Sequence, residues 1–251
     1  MFSDGFSAAV DAAQAKRGFY KANPAGYVVS SMLAGIYVGI GVLLAFTIGE
    51  LLAGLPYAKI VMGISFSIAL SLVVMAGAEL FTGSNMVMAA GFYAKAVRLA
   101  DVLLLWAVCY IGNWLGCILL AALFCGTGLA SGPVGEFINA SAVTKTGMAF
   151  LPLFLRGILC NFLVCLAVWC GFRCKSESGK LIMILWCLTA FVTTGFEHSV
   201  ANMTLLSISL INGGIGVCGY FYNILIVTLG NIAGGACFVA LPYYLISKKG
   251  A

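Results

Sequence analysis

Charged residues are scarce in this sequence of 251 residues: they make up 8% of the chain, whereas 63% of its residues are hydrophobic. Ordinary soluble domains carry about 25% charged residues. So few charges exclude a soluble globular domain and predict a protein that crosses a membrane several times. Because the bilayer core offers no water to backbone amides, we expect helical spans and an all-α protein. The net charge of +5 comes mostly from lysines and arginines that indicate membrane topology, so we expect no nucleic-acid partner.

Histidine occurs only once, as His198, and the ten cysteines form no Cys-x-x-Cys pair. A membrane haem b protein usually needs several intramembrane histidines, so a bis-histidine haem site is excluded. Since the paired spacing of metal-binding motifs is missing, most cysteines are expected to be small buried residues with free thiols. We therefore expect no metal, no cofactor and no enzymatic activity.

Long apolar runs predict six membrane spans within a single domain, residues 1–251. A helix needs about 20 apolar residues to cross a bilayer. Residues 1–26 carry charges without a central apolar stretch, so they predict an amphipathic cytoplasmic segment on the membrane surface and no cleavable signal peptide. The polar connections 126–147 and 212–221 are expected to be external loops. The predicted spans are 27–50, 58–78 (continuing to 93), 102–125, 148–172, 181–211 and 222–246.

Lysine and arginine are distributed unevenly between the two sides of the predicted membrane domain. Ten of the thirteen lie in the N-terminal segment, the second and fourth connections and the C-terminal segment. Cytoplasmic loops carry an excess of these residues, so we expect both termini in the cytoplasm and a location in the inner (cytoplasmic) membrane. The opposite side holds Lys59, Lys145 and Arg156.

Polar residues interrupt the second apolar run at 79–86 and the fifth at 196–203. A straight lipid-facing helix would not tolerate such clusters. Each run is therefore predicted to be a broken helix, whose irregular segment faces protein or water. The second half-helices are expected to start near Asn85 and near Asn202. A purely structural role, as a hydrogen-bonded core residue, stays open for the histidine. The candidates that these clusters supply are Glu79, Glu197, His198 and Asn202.

The two interruptions repeat at a constant spacing. Glu79 and Glu197 are 118 positions apart (197 − 79), and so are two Gly-Asn-x-x-Gly motifs that begin at residues 112 and 230. In the first and fourth spans, Gly35 is matched to Gly157 at an offset of 122 (157 − 35). Three spans per half predict two inverted repeats with both breaks near the bilayer midplane. Half-helix N-termini present unpaired amides and a positive dipole end, which favour a small anion.

Three motifs carry a resemblance to a known family. They are Leu80-Phe81-Thr82, Gly157-x-x-Cys160-Asn161-x-x-Val164-Cys165-Leu166-Ala167-x-Trp169 and Gly195-Phe196-Glu197-His198-Ser199-x-Ala201-Asn202-Met203. With them, the whole chain resembles the formate/nitrite transporter family, whose members carry formate, nitrite or hydrosulfide. The resemblance implies an aquaporin-like protomer in a homopentamer, with one anion pathway through each protomer.

The resemblance also implies a role for individual residues. It implies that Thr82 and His198 face each other in a central chamber. Lys145 matches a lysine near the external entrance, and Asn161 matches an asparagine close to the central site. Phe81 belongs to the second-span motif of the pathway. The residues that match apolar constrictions are Phe66, Leu70, Leu80 and Phe191.

The expected function is a passive or proton-linked conduit for small monovalent anions. The expected substrates rank in the order hydrosulfide, nitrite, formate; formate comes last because the short N-terminus and compact loops are more similar to the nitrite and hydrosulfide members. An aquaporin-type channel for neutral solutes is one alternative, although it needs two Asn-Pro-Ala triplets and only Asn23-Pro24-Ala25 is present. A membrane haem protein is the other, and the absence of a Soret band would exclude it.

Overall fold

A computed structural model describes residues 2–247 and, within that range, consists of helices joined by short connections. This confirms the predicted all-α architecture. Lys248 and Lys249, which contribute to the expected orientation, lie outside the described residues. The helices are α1 (Ser3–Ala22), α2 (Pro24–Leu51), α3 (Ala58–Phe66), α4 (Ile68–Leu72), α5 (Phe81–Tyr93), α6 (Leu99–Gly126), α7 (Pro133–Thr146), α8 (Phe150–Arg173), α9 (Glu177–Thr194), α10 (Ser199–Ile211), α11 (Val217–Gly235) and α12 (Leu241–Ser247), with π-helical turns at Val73–Gly77 and Ala236–Ala240 and a 3₁₀ turn at Leu129–Ser131.

Six helical segments of the described chain are long and apolar enough to cross a membrane. They confirm the six predicted spans. The second span combines α3, α4 and a π-helical turn, and the sixth combines α11, a π-helical turn and α12. Both ends of the described chain lie on one face, since the Ser247 hydroxyl donates to the Phe2 carbonyl at 3.5 Å.

Two short breaks separate the long spans from the half-helices α5 and α10. Each begins at a glycine with positive φ, +80° at Gly77 and +79° at Gly195. A residue with a Cβ is strained in that conformation. The half-helices then start at Phe81 and Ser199, three to four residues earlier than expected, so the predicted starts near Asn85 and Asn202 are wrong.

Asn113 on α6 and Asn231 on α11 set where the half-helices start. Their side-chain oxygens accept from the first N–H of α5 and of α10, each at 2.9 Å. Their amide groups donate to the carbonyls of Glu79 (2.9 Å) and Glu197 (3.0 Å). We call these two residues the asparagine clamps. They satisfy backbone groups that a helix break leaves free, and they come from other helices, so a local pattern does not reveal them.

The contacts of the asparagine clamps show which residues of the first and fourth spans are equivalent, and they differ from the predicted pairs. Asn113 donates to the Ser31 carbonyl at 2.7 Å, and Asn231 donates to the Gly157 carbonyl at 2.8 Å. The equivalent residues are therefore 126 positions apart (157 − 31) rather than 122. The error is one helical turn, and it arose because small residues recur every four positions on both helices. The inverted orientation of the two halves stays a prediction.

Two regions differ from their predicted structure. Within 126–147 the chain forms α7, so the expected loop is wrong there; Pro133 starts the helix, and Ile138 and Ala142 are buried at helical spacing. The second polar connection becomes helical at Val217. Helix α1 forms as predicted, and its face with Ala9 and Ala13 is fully buried against the protein. Its location on the membrane surface stays a prediction.

Candidate functional site

The two half-helices meet at a contact between Thr82 and His198. Thr82 lies in the first turn of α5, and His198 immediately precedes α10. The Thr82 hydroxyl oxygen is 3.0 Å from His198 Nε2, and both residues are buried. The structure thus brings together the two residues for which the resemblance implied a central chamber, and it joins them by a direct hydrogen bond.

The second ring nitrogen of His198 is also engaged. Nδ1 accepts from the backbone N–H of Ala201 at 3.1 Å, which makes His198 the N-cap of α10. A neutral imidazole has one donor and one acceptor nitrogen. Since Nδ1 accepts, the geometry assigns the proton of the neutral ring to Nε2. His198 therefore presents an N–H donor to Thr82.

A cavity of about 700 Å³ leads to His198 from the face opposite the chain termini. Its wall combines apolar side chains with four charged ones. The apolar lining includes Phe46, Met62, Phe66, Phe137, Met148, Phe191 and Leu205, and the charged lining consists of Lys59, Lys145, Arg156 and Glu197. Its volume lies within the range of small-molecule binding sites, about 300–1,000 Å³.

Beyond this cavity the passage narrows between aromatic rings. The rings of Phe66 and Phe191 are perpendicular, with centroids 5.6 Å apart, and the Phe191 ring stacks 6.0 Å from the imidazole of His198. A second cavity of only about 10 Å³ lies past them, lined in part by Leu70 and Leu80 as well as His198. The four residues predicted as apolar constrictions are thus grouped around the histidine.

Glu197 and Lys145 form a buried ion pair beside this passage. Lys145 Nζ lies 2.7 Å from each carboxylate oxygen of Glu197, and the Asn202 amide donates to the same carboxylate at 2.7 Å. Asn223 then accepts from Asn202 at 2.8 Å and donates to the Lys145 carbonyl at 3.0 Å. Lys145 was expected to act as an entrance charge; the structure places it by the cavity with its charge paired.

Sequence reasoning missed the matching ion pair at the first break. Glu79 is bound there by Lys16 of α1. The two residues are 63 positions apart, so no local motif connects them. One signal was available: Lys16 continues the buried face of Ala9 and Ala13 at helical spacing, and a lysine on a buried helix face needs a partner.

Phe81 and Asn161 lie near the site without lining either cavity. The Phe81 ring packs edge-on against Tyr110, with centroids 4.9 Å apart. Asn161 is fully buried and donates to the Thr82 carbonyl at 3.2 Å and to the Asn231 carbonyl at 2.6 Å. Both residues therefore position α5 in this structure.

Known proteins share this architecture. The family model described as "Formate/nitrite transporter" matches residues 3–245. The nitrite transporter NirC of Escherichia coli (strain K12) is 40% identical over 232 residues, which cover 90% of this chain and 85% of that protein. A solved FNT family ion channel superposes with a TM-score of 0.92 at 36% identity, covering 98% of this chain and 99% of that one.

A second solved structure, a pentameric formate channel with formate bound, superposes with a TM-score of 0.79 at 30% identity, covering 90% of this chain and 98% of that one. The likenesses extend over both breaks and all six spans. They confirm the resemblance that the motifs carried, and this chain belongs to the formate/nitrite transporter family, whose members are membrane transport proteins.

Proposed function

We propose that this protein conducts nitrite, and more slowly the related monovalent anions hydrosulfide and formate. The observation that carries the proposal is the Thr82–His198 contact at the meeting point of the two half-helices, enclosed by apolar rings. The 40% identity to a nitrite transporter supports nitrite as the principal substrate. This order places nitrite ahead of hydrosulfide, which the sequence alone had ranked first.

Two opposing effects act on an anion near the centre of the passage, where the two half-helices meet. The N-termini of α5 and α10 point their amides towards the breaks, and this favours negative charge. Moving a bare anion between Phe66 and Phe191 is costly, because burying an unpaired charge in an apolar environment is strongly unfavourable. A weak acid that accepts a proton, or an anion that is hydrogen-bonded at the narrowest point, crosses at a lower cost.

The hydrogen bonds of His198 define how it acts on the substrate. Its Nε2–H donates to an arriving anion when that anion replaces the Thr82 hydroxyl. For His198 to transfer a full proton and end neutral, it would first have to carry a second proton on Nδ1, directed at the N–H of Ala201. Two donors would then face each other. His198 therefore stabilises the substrate as a hydrogen-bond donor, and a proton that accompanies the anion comes from water in the cavity.

The proposed setting is the cytoplasmic membrane, with both termini in the cytoplasm and the large cavity open to the outside. The excess of Lys and Arg on the face that carries the termini supports this orientation. A homopentamer is supported by the pentameric assembly of the related formate channel. Lipid then covers the remaining apolar faces of each protomer.

A proteoliposome flux series tests the proposal. Nitrite, hydrosulfide and formate are compared with sulfate, a dianion that does not form a neutral acid near neutral pH. We expect nitrite to lead and sulfate to stay at the level of empty liposomes. His198→Phe should lose nitrite flux while keeping its oligomer on size exclusion. Sulfate moving as fast as nitrite, or wild-type flux in the His198 variant, would contradict the proposal, and formate in the lead would overturn the substrate order.

A further inference from the structure

Three positive side chains line the large cavity, and they differ in whether their charge is compensated. Lys145 is neutralised by Glu197, whose two oxygens both lie 2.7 Å from its ammonium group. The Lys145 side chain is 20% exposed and that of Glu197 is 4% exposed. A buried pair at this distance acts at longer range as a small dipole, so it attracts an approaching anion only weakly.

Lys59 and Arg156 carry the uncompensated charge of this cavity. Within residues 2–247, none of the ion pairs includes either of them. Arg156 donates from one terminal nitrogen to the Gly195 carbonyl, at the long distance of 3.4 Å. An arginine has five N–H donors, so most of them stay available. Both side chains are exposed and line the cavity.

Lys59 and Arg156 both lie next to the C-terminal end of α9. The Thr193 hydroxyl donates to the Lys59 carbonyl at 3.4 Å, while Arg156 reaches Gly195, two residues further on. Both residues thus border the C-terminal end of α9. Lys59 also lies in the first turn of α3, where the positive end of the helix dipole adds to the positive potential.

We propose that Lys59 and Arg156 form an anion-capture site at the mouth of the cavity, which concentrates small monovalent anions before they reach the aromatic constriction. This inference deepens the proposed function and rests on it. Lys59 and Arg156 thus act as the entrance charges, a role that the sequence suggested for Lys145. Lys145 instead stabilises the second break, by compensating Glu197.

The dependence of flux on ionic strength tests this assignment. Exposed charges act over about 30 Å at 0.01 M salt and about 3 Å at 1 M. The double variant Lys59→Gln/Arg156→Gln should lower initial nitrite flux by about ten-fold or more at 0.01 M, at the lower end of the range of electrostatic steering, and should match wild type at 1 M. The matched control Lys21→Gln/Lys175→Gln removes two exposed positive charges on the face that carries the termini, and neither of them belongs to the ion pairs of residues 2–247.

A third variant separates this site from the buried pair. Lys145→Gln should reduce flux or folded yield by the same factor at both salt concentrations, because it leaves the Glu197 carboxylate without its cation. The capture site would be overturned if the double variant conducted like the wild type at both salt concentrations. A salt-dependent loss seen only in Lys145→Gln, or an equal loss in the control variant, would overturn it as well. Absence of nitrite flux in the wild type would instead contradict the proposed function itself.

Discussion

The two breaks of this protein share a scaffold and differ in chemistry. Each begins at a glycine with positive φ, is held by an asparagine clamp, and carries a glutamate bound to a lysine from a helix that precedes its half. Between the glycine and the start of the half-helix, one position changes from an apolar to a polar residue. Leu80 stands where the second break has His198, 118 positions later (198 − 80).

The difference separates residues that build the breaks from a residue that acts on the substrate. Leu80 offers no side-chain bond to α5, whereas His198 caps α10 through Nδ1 and directs Nε2 at Thr82. The glycines and clamps recur because both backbones need the same hydrogen bonds. The histidine occurs once because a second ionisable ring at the constriction would add a desolvated polar group to the passage.

The largest expected effect comes from removing the clamps. Asn113→Leu and Asn231→Leu each leave a buried N–H and one or two buried carbonyls without their partner, at about 1–3 kcal/mol per group. Asn231→Leu should be the more damaging, because the Glu79 carbonyl keeps a bond from the Cys109 thiol at 3.1 Å. Thermal unfolding followed by size exclusion measures both, with Asn139→Leu as control, since its side-chain oxygen has no partner. Equal stability of wild type and Asn231→Leu would contradict the scaffold role.

Breaking the ion pair at the second break should also destabilise the protein more than breaking the pair at the first. Glu197→Gln leaves a lysine unpaired beside a side chain that is 4% exposed, compared with 14% for Glu79. Breaking a buried pair costs about 3–5 kcal/mol, so we expect about 3 kcal/mol for Glu197→Gln and a smaller loss for Glu79→Gln. Glu177→Gln, in an exposed pair with Lys180, should change stability by less than about 1 kcal/mol. Unfolding midpoints in the reverse order would show that burial does not govern these pairs.

A smaller effect is expected at the partner of the histidine. Thr82→Val removes the hydroxyl that accepts from Nε2 while keeping a similar shape. A lost neutral hydrogen bond is worth about 1 kcal/mol, so nitrite flux should change by about five-fold, with little loss of the folded oligomer. Thr228→Val removes a hydroxyl that bonds Tyr110 at 3.0 Å outside the site and should leave flux unchanged. If both variants conduct like the wild type, the Thr82 hydroxyl has only a packing role.

The sequence predicted the parts of this site that depend on local pattern. Glu197 and His198 stood out because polar residues at membrane depth interrupt an apolar run. The positions at which α5 and α10 start were not predictable in that way, since they depend on Asn113 and Asn231 from other helices. The partner of Glu79 was missed for the same reason: Lys16 approaches through a tertiary contact of α1. Helix α7 was missed because its small polar residues are equally typical of a loop.

The most direct measurement uses the fact that the chain has a single histidine. Protein labelled with ¹⁵N-histidine and purified without a histidine tag gives one imidazole spin system, whose nitrogen shifts report which nitrogen carries the proton. The account predicts a neutral ring protonated on Nε2 at pH 7, with a perturbation of the Nε2 signal when nitrite is added. An imidazolium, or a ring protonated on Nδ1 alone, would contradict the assignment of His198 as a hydrogen-bond donor to the substrate.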